Sequence, residues 1–586
     1  MRMTRGFSLR TGPSALVAVL ALLMSSLLTG TAPAATACSS PPQVVPESQL
    51  IPGTVGTGWT TIQGTTPVPF DVEILGAIPD GLLLGVDAIV VQITGPQSFL
   101  DTTGGVLYGM SGSPVYVNGK LAGAISLAFY GDPTIAGMTP AQPMVDLFSL
   151  PTSGAQSARP AQTVALTPQI RQRIADATGT PITQLTGSLQ QLPVPLAVSG
   201  LSDQRMDELQ GMLDDQQANV HVYRAGSATA PSGPVTGAPF APGAPFGSAL
   251  AYGDATIYAI GTATASCGNA TIAYGHSLFY GAAGAVSLGM SGANIIVVLK
   301  GTDFAGFKLG VLTDARGSVV QDRFVGELGI VGQSPPSVPI VTDFTNTDIG
   351  TSRHGTTDAV FTEDYWLVDT TWVHVFANLQ AVFQQVSEGS SRIAYTVTGL
   401  RDDGVTTWEV SNRNMYYSEY DAGEAAYKLI NAMYELVFNR WEHVTITGIT
   451  ASGEITEREL AAEITDVRTS SSGPAHFYRG GATVKRGGTV TVEVTLSPVD
   501  GSPDVVTTMR LHAPNAPGSY DVSLRGGKAR FYISTRGISS FDGLLEALNG
   551  GNHPNDLIAT GLGGKVSVEQ DLVVTGRASF TVQVVK

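Results

Sequence analysis

Residues 108–114 read Tyr-Gly-Met-Ser-Gly-Ser-Pro and centre on Ser111. A serine hydroxyl acts as a nucleophile when the backbone projects it and a base stands beside it. Gly109 and Gly112 allow a tight, strained turn, because neither carries a Cβ that would obstruct it. Such a turn presents the Ser111 hydroxyl and aims successive backbone N–H groups at one point, the arrangement that stabilises a developing oxyanion. Pro114 ends the turn. The strand Val-Tyr-Val, the pair Asn118-Gly119 and the returning run KLAGAISLAF follow. Asn-Gly between apolar runs is a strong hairpin signal, so Ser111 is expected on a rigid platform. Taken alone, the common GxSG pattern reads as a purely structural glycine-rich turn; the Ser-Pro and the Asn-Gly hairpin that follow are what favour the chemical reading.

The letters Gly-Met-Ser-Gly recur around Ser291, but there Ala293-Asn294 and an apolar run follow, with no Asn-Gly hairpin. That copy reads as a β-turn leading into a buried strand. Among the eight histidines, His276 stands out in the stretch IAYGHSLF, where Gly275 permits close backbone approach after a hairpin strand. A satisfied core or surface histidine is its plain alternative. The histidines and cysteines show no metal-ligand spacing, and neither a metal nor another cofactor is expected.

The stretch GMSGSPVYVNGKLAGAIS resembles the nucleophile segment of chymotrypsin-like serine peptidases. The fuller set of blocks is similar to the SpoIVB-type family, the sporulation stage IV B peptidases. These blocks are PFDVEILG (69–76), TGGVLYGMSGSP (103–114), NGKLAGAIS (118–126), IAYGHSLF (272–279) and GELGIVG (326–332). The resemblance covers roughly residues 50–150 and 248–335. It implies acyl transfer on a protein or peptide substrate, with Ser111 as nucleophile and His276 as general base. The oxyanion hole would come from the backbone N–H groups of Gly109 and Ser111. The chain departs from the family in two ways. Its serine segment precedes its histidine segment, as in a permuted arrangement, which a catalytic triad tolerates because it is defined by geometry. The family's acid segment reads Thr94-Gly95-Pro96 here, without a carboxylate. Asp101 is the nearest acid and Asp322 is the alternative. A catalytically inactive homologue that binds a peptide or envelope partner through the same cleft is therefore the second reading, and a structural surface adhesin the third.

The elements that must position these residues are mainly strands. Gly 69 and Pro 34 in 586 residues, with 43% hydrophobic and 14% charged residues, describe a globular chain of many short strands and tight turns. The expected fold is mainly β, a permuted chymotrypsin-like double β-barrel with a helical insertion, followed by α+β and β-sandwich units. Its two halves are 38–150, bearing the serine, and 248–335, bearing the histidine. Residues 151–247 form the insertion, with helices at 167–178 and 202–216 and a Pro/Gly-rich linker at 225–247. A short helix is expected to follow Thr139 as N-cap, with Pro140 at its first position. An α+β domain occupies 336–470, with a helix at 422–438. A β-sandwich occupies 471–586, interrupted by a helix at SFDGLLEALNG.

Residues 1–37 read as a secretory signal: Arg2, Arg5 and Arg10, an apolar run too short to span a bilayer, and Ala35-Thr36-Ala37. A secreted or envelope-associated protein is expected, with no membrane span once the signal is removed. In an oxidising compartment Cys38 and Cys267 can pair as a disulfide. Two free thiols, or a lipidated Cys38, are the alternatives. The formal charge of −16 argues against nucleic acid or an anionic membrane surface as partner.

Overall fold

Six strands close into a barrel around a core that includes Phe70, Ile89, Val91, Ile125 and Met138, each fully buried. The computed structural model describes residues 38–586 apart from 152–162, 232, 234, 279–283, 301–305, 472–475, 529–530 and 533–534. The expected signal segment, residues 1–37, lies outside the described residues. The first-barrel strands are β1 (Val55–Thr60), β2 (Val68–Leu83), β3 (Val86–Gly95), β4 (Pro114–Val117), β5 (Lys120–Phe129) and β6 (Ile135–Pro140). Their order is β4-β1-β2-β3-β6-β5, and β5 pairs back to β4. Asn118 and Gly119 join β4 to β5 with φ of 50° and 76°, the left-handed pair that an Asn-Gly hairpin turn supplies.

Two strands extend this sheet beyond the barrel: β7 (Thr163–Ala165) and β8 (Ser188–Gln191). Two more, β9 (Val194–Val198) and β10 (Val220–Arg224), open the next sheet. The segment expected to be helical therefore contributes four strands, together with helices Pro168–Thr178 and Asp203–Asp215. Both helices begin where the sequence places them, since Thr167 and Ser202 accept a cap hydrogen bond from Ile170 and Arg205.

A second barrel follows. Its strands are β11 (Pro245–Gly253), β12 (Ile257–Cys267), β13 (Ala270–Ala273), β14 (Gly284–Leu299), β15 (Phe307–Arg323) and β16 (Gly326–Val331). They run β12-β13-β16-β15-β14-β11, and β11 pairs back to β12. The chain thus has a chymotrypsin-like double barrel. Cys38 is joined to Cys267 at the end of β12, tying the start of the first barrel to the second. That bond uses the sulfur that a lipid would need.

Through β11 and the strand Thr351–Ala359, the second sheet runs on into the α+β unit. There the structure departs from sequence expectation. A 20-residue helix, Asp364–Phe383, runs through the core, with Trp372, Val373, Val375 and Phe376 all buried. A helix that buries polar residues such as Thr370, His374 and Asn378 as well as apolar ones shows no clear 3.6-residue alternation, which is why the pattern did not reveal it. The helix expected at 422–438 is a 3₁₀ turn, Ala422–Ala426, leading into an α-helix, Tyr427–Val437. The expected helix after Thr139 starts later. Thr139 lies in β6, Pro140 occupies the N-cap position, and the helix is Ala141–Val145. The final unit is two five-stranded sheets enclosing a common core, as a β-sandwich requires. It begins at the strand Ala461–Ser470, ahead of the expected boundary at 471, because that strand pairs with Thr489–Pro498.

Candidate active site

Ser111 sits in the turn between the helix Gln97–Thr103 and β4, where the first barrel meets β12 of the second. The turn depends on its two glycines. Gly109 and Gly112 both have φ +90°, and a Cβ on Gly112 would lie 2.1 Å from the Thr262 carbonyl oxygen. The Gly112 N–H donates to the Ile125 carbonyl at 2.8 Å. The other anchors come from β12. The Thr262 N–H donates to the Ser111 carbonyl at 2.9 Å. The Thr262 hydroxyl donates to the Gly109 carbonyl at 2.9 Å, and the Thr264 hydroxyl to the Gly112 carbonyl at 2.8 Å. With the carbonyls held, the N–H groups of Gly109 and Ser111 make no hydrogen bond among the described residues. They are free to donate to an incoming oxyanion.

Beneath the turn lies a buried lysine. Lys308 on β15 is fully buried and donates to the hydroxyls of Thr60 at 2.7 Å and Thr262 at 3.1 Å. Ser113 donates to Thr60 at 2.9 Å. Burial lowers the Lys308 ammonium to about 7. This cluster braces Thr262, which in turn braces the turn.

His276 follows β13, on a segment where Tyr274 and Gly275 have φ of 67° and 69°. The Thr139 hydroxyl donates to the Gly275 carbonyl at 2.5 Å. This sharp bend turns the imidazole toward the serine, and Nε2 stands 2.7 Å from Ser111 Oγ. On the far side, Nδ1 lies 2.7 Å from the Ser277 carbonyl oxygen. A carbonyl only accepts, so Nδ1 carries the proton and Nε2 bears the lone pair that the serine hydroxyl donates to. Gln191 on β8 donates to the same carbonyl at 3.2 Å. Its amide nitrogen also stands 3.0 Å from Nδ1, and with that nitrogen protonated neither donates to the other. Burial lowers the His276 pKa to about 4, and the hydrogen bond to Ser277 offsets only part of that. The imidazole is therefore neutral near pH 7, as a waiting base must be. The pair is covered, with Ser111 2% and His276 3% exposed.

The carboxylates expected behind the histidine are placed otherwise. Asp101 lies on the exposed face of the helix Gln97–Thr103, where its carboxylate accepts from Gln97 at 2.8 Å. Asp322 on β15 is fully buried, and its Oδ1 accepts from the Leu278 N–H at 2.9 Å. Neither is hydrogen-bonded to the imidazole. Asp322 instead grips the peptide unit whose other end, the Ser277 carbonyl, receives the His276 proton. Across the ladder Asp322 faces Glu327, also fully buried, whose Oε2 accepts from Ser248 at 2.6 Å. Burial and the Asp322 charge push the Glu327 carboxyl well above its ordinary range.

Ser291 is in the interior of β14, not in a turn, and its hydroxyl meets that of Tyr252 at 3.2 Å. Sequence reasoning missed Gln191, Thr262 and Lys308. The first two carry no local motif. Lys308 left one trace, a cation inside the strand-like run FKLGVL.

Neither the curated proteins nor the solved structures yielded a match to the chain. Residues 33–145, which include the whole first barrel and Ser111 but not His276, match the model of the SpoIVB peptidase S55 family, and that match supports a serine peptidase of the SpoIVB kind.

Proposed function

We propose that the double barrel is a secreted serine endopeptidase in which Ser111 attacks a peptide carbonyl and His276 serves as general base. The observation that carries this reading is the 2.7 Å contact between Ser111 Oγ and His276 Nε2, with the imidazole in the tautomer that can accept. In the first step Ser111 Oγ bonds to the substrate carbonyl carbon while its proton passes to Nε2. The carbonyl oxygen gains the negative charge and is met by the N–H groups of Gly109 and Ser111. The imidazolium then gives its proton to the leaving amine, and water repeats the cycle on the acyl-enzyme. The Ser277 carbonyl keeps Nδ1 protonated and the ring in place throughout.

Two features favour a second reading, a homologue that binds a peptide without turning it over. A carbonyl replaces the orienting carboxylate, and the dyad is covered. A fluorophosphonate probe separates the two. The peptidase reading expects labelling at Ser111 that Ser111→Ala abolishes; labelling that survives the substitution overturns it. Absence of labelling with retained peptide binding points to the second.

A further inference from the structure

The chain carries 48 acidic against 32 basic residues, yet in one of its cavities every charged lining residue among the described residues is a cation. This cavity, about 630 Å³, lies where the outer face of a sandwich sheet meets the α+β unit. Lys428, Arg525, Lys528 and Arg577 line it together with Ser523 and Tyr532, and no aspartate or glutamate does so among the described residues. Elsewhere arginines are routinely paired, as Arg353 is with Asp254 and Arg458 with Asp500. Among the described residues none of these four makes an ion pair.

The register adds a second, independent observation. Arg525 on the strand Gly518–Gly526 and Arg577 on Arg577–Val585 are direct cross-strand partners, so their guanidinium groups share one face. Like charges directly opposite each other destabilise a sheet unless something lies between them. Among the described residues the Arg525 guanidinium donates only to the neighbouring Gly526 carbonyl, at 3.1 Å. Lys428, 6% exposed, rises from the helix Tyr427–Val437 and donates to Asn412 at 3.2 Å and the Arg413 carbonyl at 3.1 Å. An ammonium has three donors, so one remains for a ligand. Asp556 sits behind Lys428, but its carboxylate accepts from the His553 N–H at 2.7 Å and lies outside the lining.

We infer that this cavity is an anion site for a small phosphoryl-bearing molecule, held by Arg525 and Arg577 as a paired clamp with Lys428 at its floor. Guanidinium forks match phosphate oxygens two at a time. A compact group of at least two negative charges is what a cluster of four cations neutralises best, and a single carboxylate supplies one. The volume suits a ligand the size of a sugar phosphate or nucleotide. The site is separate from the Ser111–His276 dyad and does not rest on the peptidase reading.

Inorganic pyrophosphate is the probe, titrated calorimetrically into the full chain without its signal segment, with citrate as the carboxylate comparison. Saturable one-to-one binding is expected for pyrophosphate, tighter than for citrate, and weakened about tenfold or more by Arg577→Gln and by Arg525→Gln. The same substitutions remove the cross-strand repulsion, so the ligand-free variants should melt no lower than the parent, while a fixed pyrophosphate concentration should raise the melting temperature of the parent more than that of either variant. No binding, or binding undiminished in both variants, overturns the site. Citrate binding more tightly than pyrophosphate overturns the phosphoryl assignment.

Discussion

The protonation of His276 offers a measurable signature of the proposed chemistry. An ordinary imidazole titrates near 6.5, whereas burial holds that of His276 at about 4. At about pH 5 such a base is about nine-tenths neutral, against about 3% for an ordinary histidine, a difference of roughly thirtyfold. The second-order rate of fluorophosphonate labelling at Ser111, followed from about pH 3.5 to 8, should therefore stay near its plateau down to about pH 5 and fall only below it. The same shift weakens the fold in acid, and the sign is definite. Between 6.5 and about 4 the unfolded chain binds a proton that native His276 refuses, so stability is lost as pH falls through this window. The integrated loss is roughly 3 kcal/mol for a fully buried group. His374, buried between Thr342 and Thr357, is also held at about 4 and adds to the loss. Circular dichroism must accompany the labelling curve so that unfolding is not taken for protonation. A limb near pH 6.5 in protein that is still folded would refute the reasoning, because it would mean that the imidazole is hydrated during reaction.

Four further outcomes follow from the same geometry. Asp322→Ala removes the acceptor of the Leu278 N–H and should slow labelling at Ser111 by about tenfold or more, with Asp322→Asn recovering part of the rate because its amide oxygen still accepts; equal rates in parent and alanine variant would exclude a positioning role. Glu327→Gln should leave stability unchanged near pH 4 and raise it increasingly toward pH 8, read as a melting-temperature difference. A carboxyl raised above its unfolded value of 4.5 loses stability as pH climbs beyond that value, and the amide has no such penalty. Gly112→Ala drives a Cβ against the Thr262 carbonyl and Tyr274 N at φ +90° and should cost more than about 3 kcal/mol, whereas Gly119→Ala at φ +76°, with open space around it, should cost about 1 kcal/mol in thermal melts. Replacing Cys38 and Cys267 by serine opens a bridge spanning 229 residues and should cost about 2–5 kcal/mol, visible as a melting temperature that no longer responds to reductant.

What the sequence made legible was local. Asn118-Gly119 needs a left-handed pair and declares a hairpin. Gly109 and Gly112 declare a turn because only glycine sits there without strain. Thr167 and Ser202 declare helix starts through their hydroxyls. What stayed hidden was set by distant segments. The helix Asp364–Phe383 lost its periodicity by being buried on all sides. Ser291 repeats the letters around Ser111, but in β14 its neighbours pair with β11 and β15, and the glycines there admit Tyr252 and Thr313 instead of forming a turn. The brace of Lys308, Thr60 and Thr262 joins three strands from two barrels, and no spacing rule connects them.

The acid is the instructive case. A search by residue type looks for a carboxylate touching the imidazole, and Asp322 fails that test. It nonetheless stands one peptide unit away. Its Oδ1 accepts from the Leu278 N–H, and the same planar peptide presents the Ser277 carbonyl to His276 Nδ1. A negative charge on the N–H side of a peptide polarises the carbonyl on the other side, so the oxygen facing Nδ1 becomes a better acceptor than an isolated carbonyl. Gln191 fixes that oxygen from a third direction. In the proposed chemistry the orienting function is thus divided between a backbone carbonyl that selects the tautomer, a buried carboxylate that steadies the peptide bearing it, and an amide that donates to the same carbonyl. The division keeps full negative charge off the imidazole, and this agrees with the direction of its shift: desolvation dominates, and no adjacent carboxylate raises the pKa again. A base tuned in this way is weak but stays unprotonated well into acid.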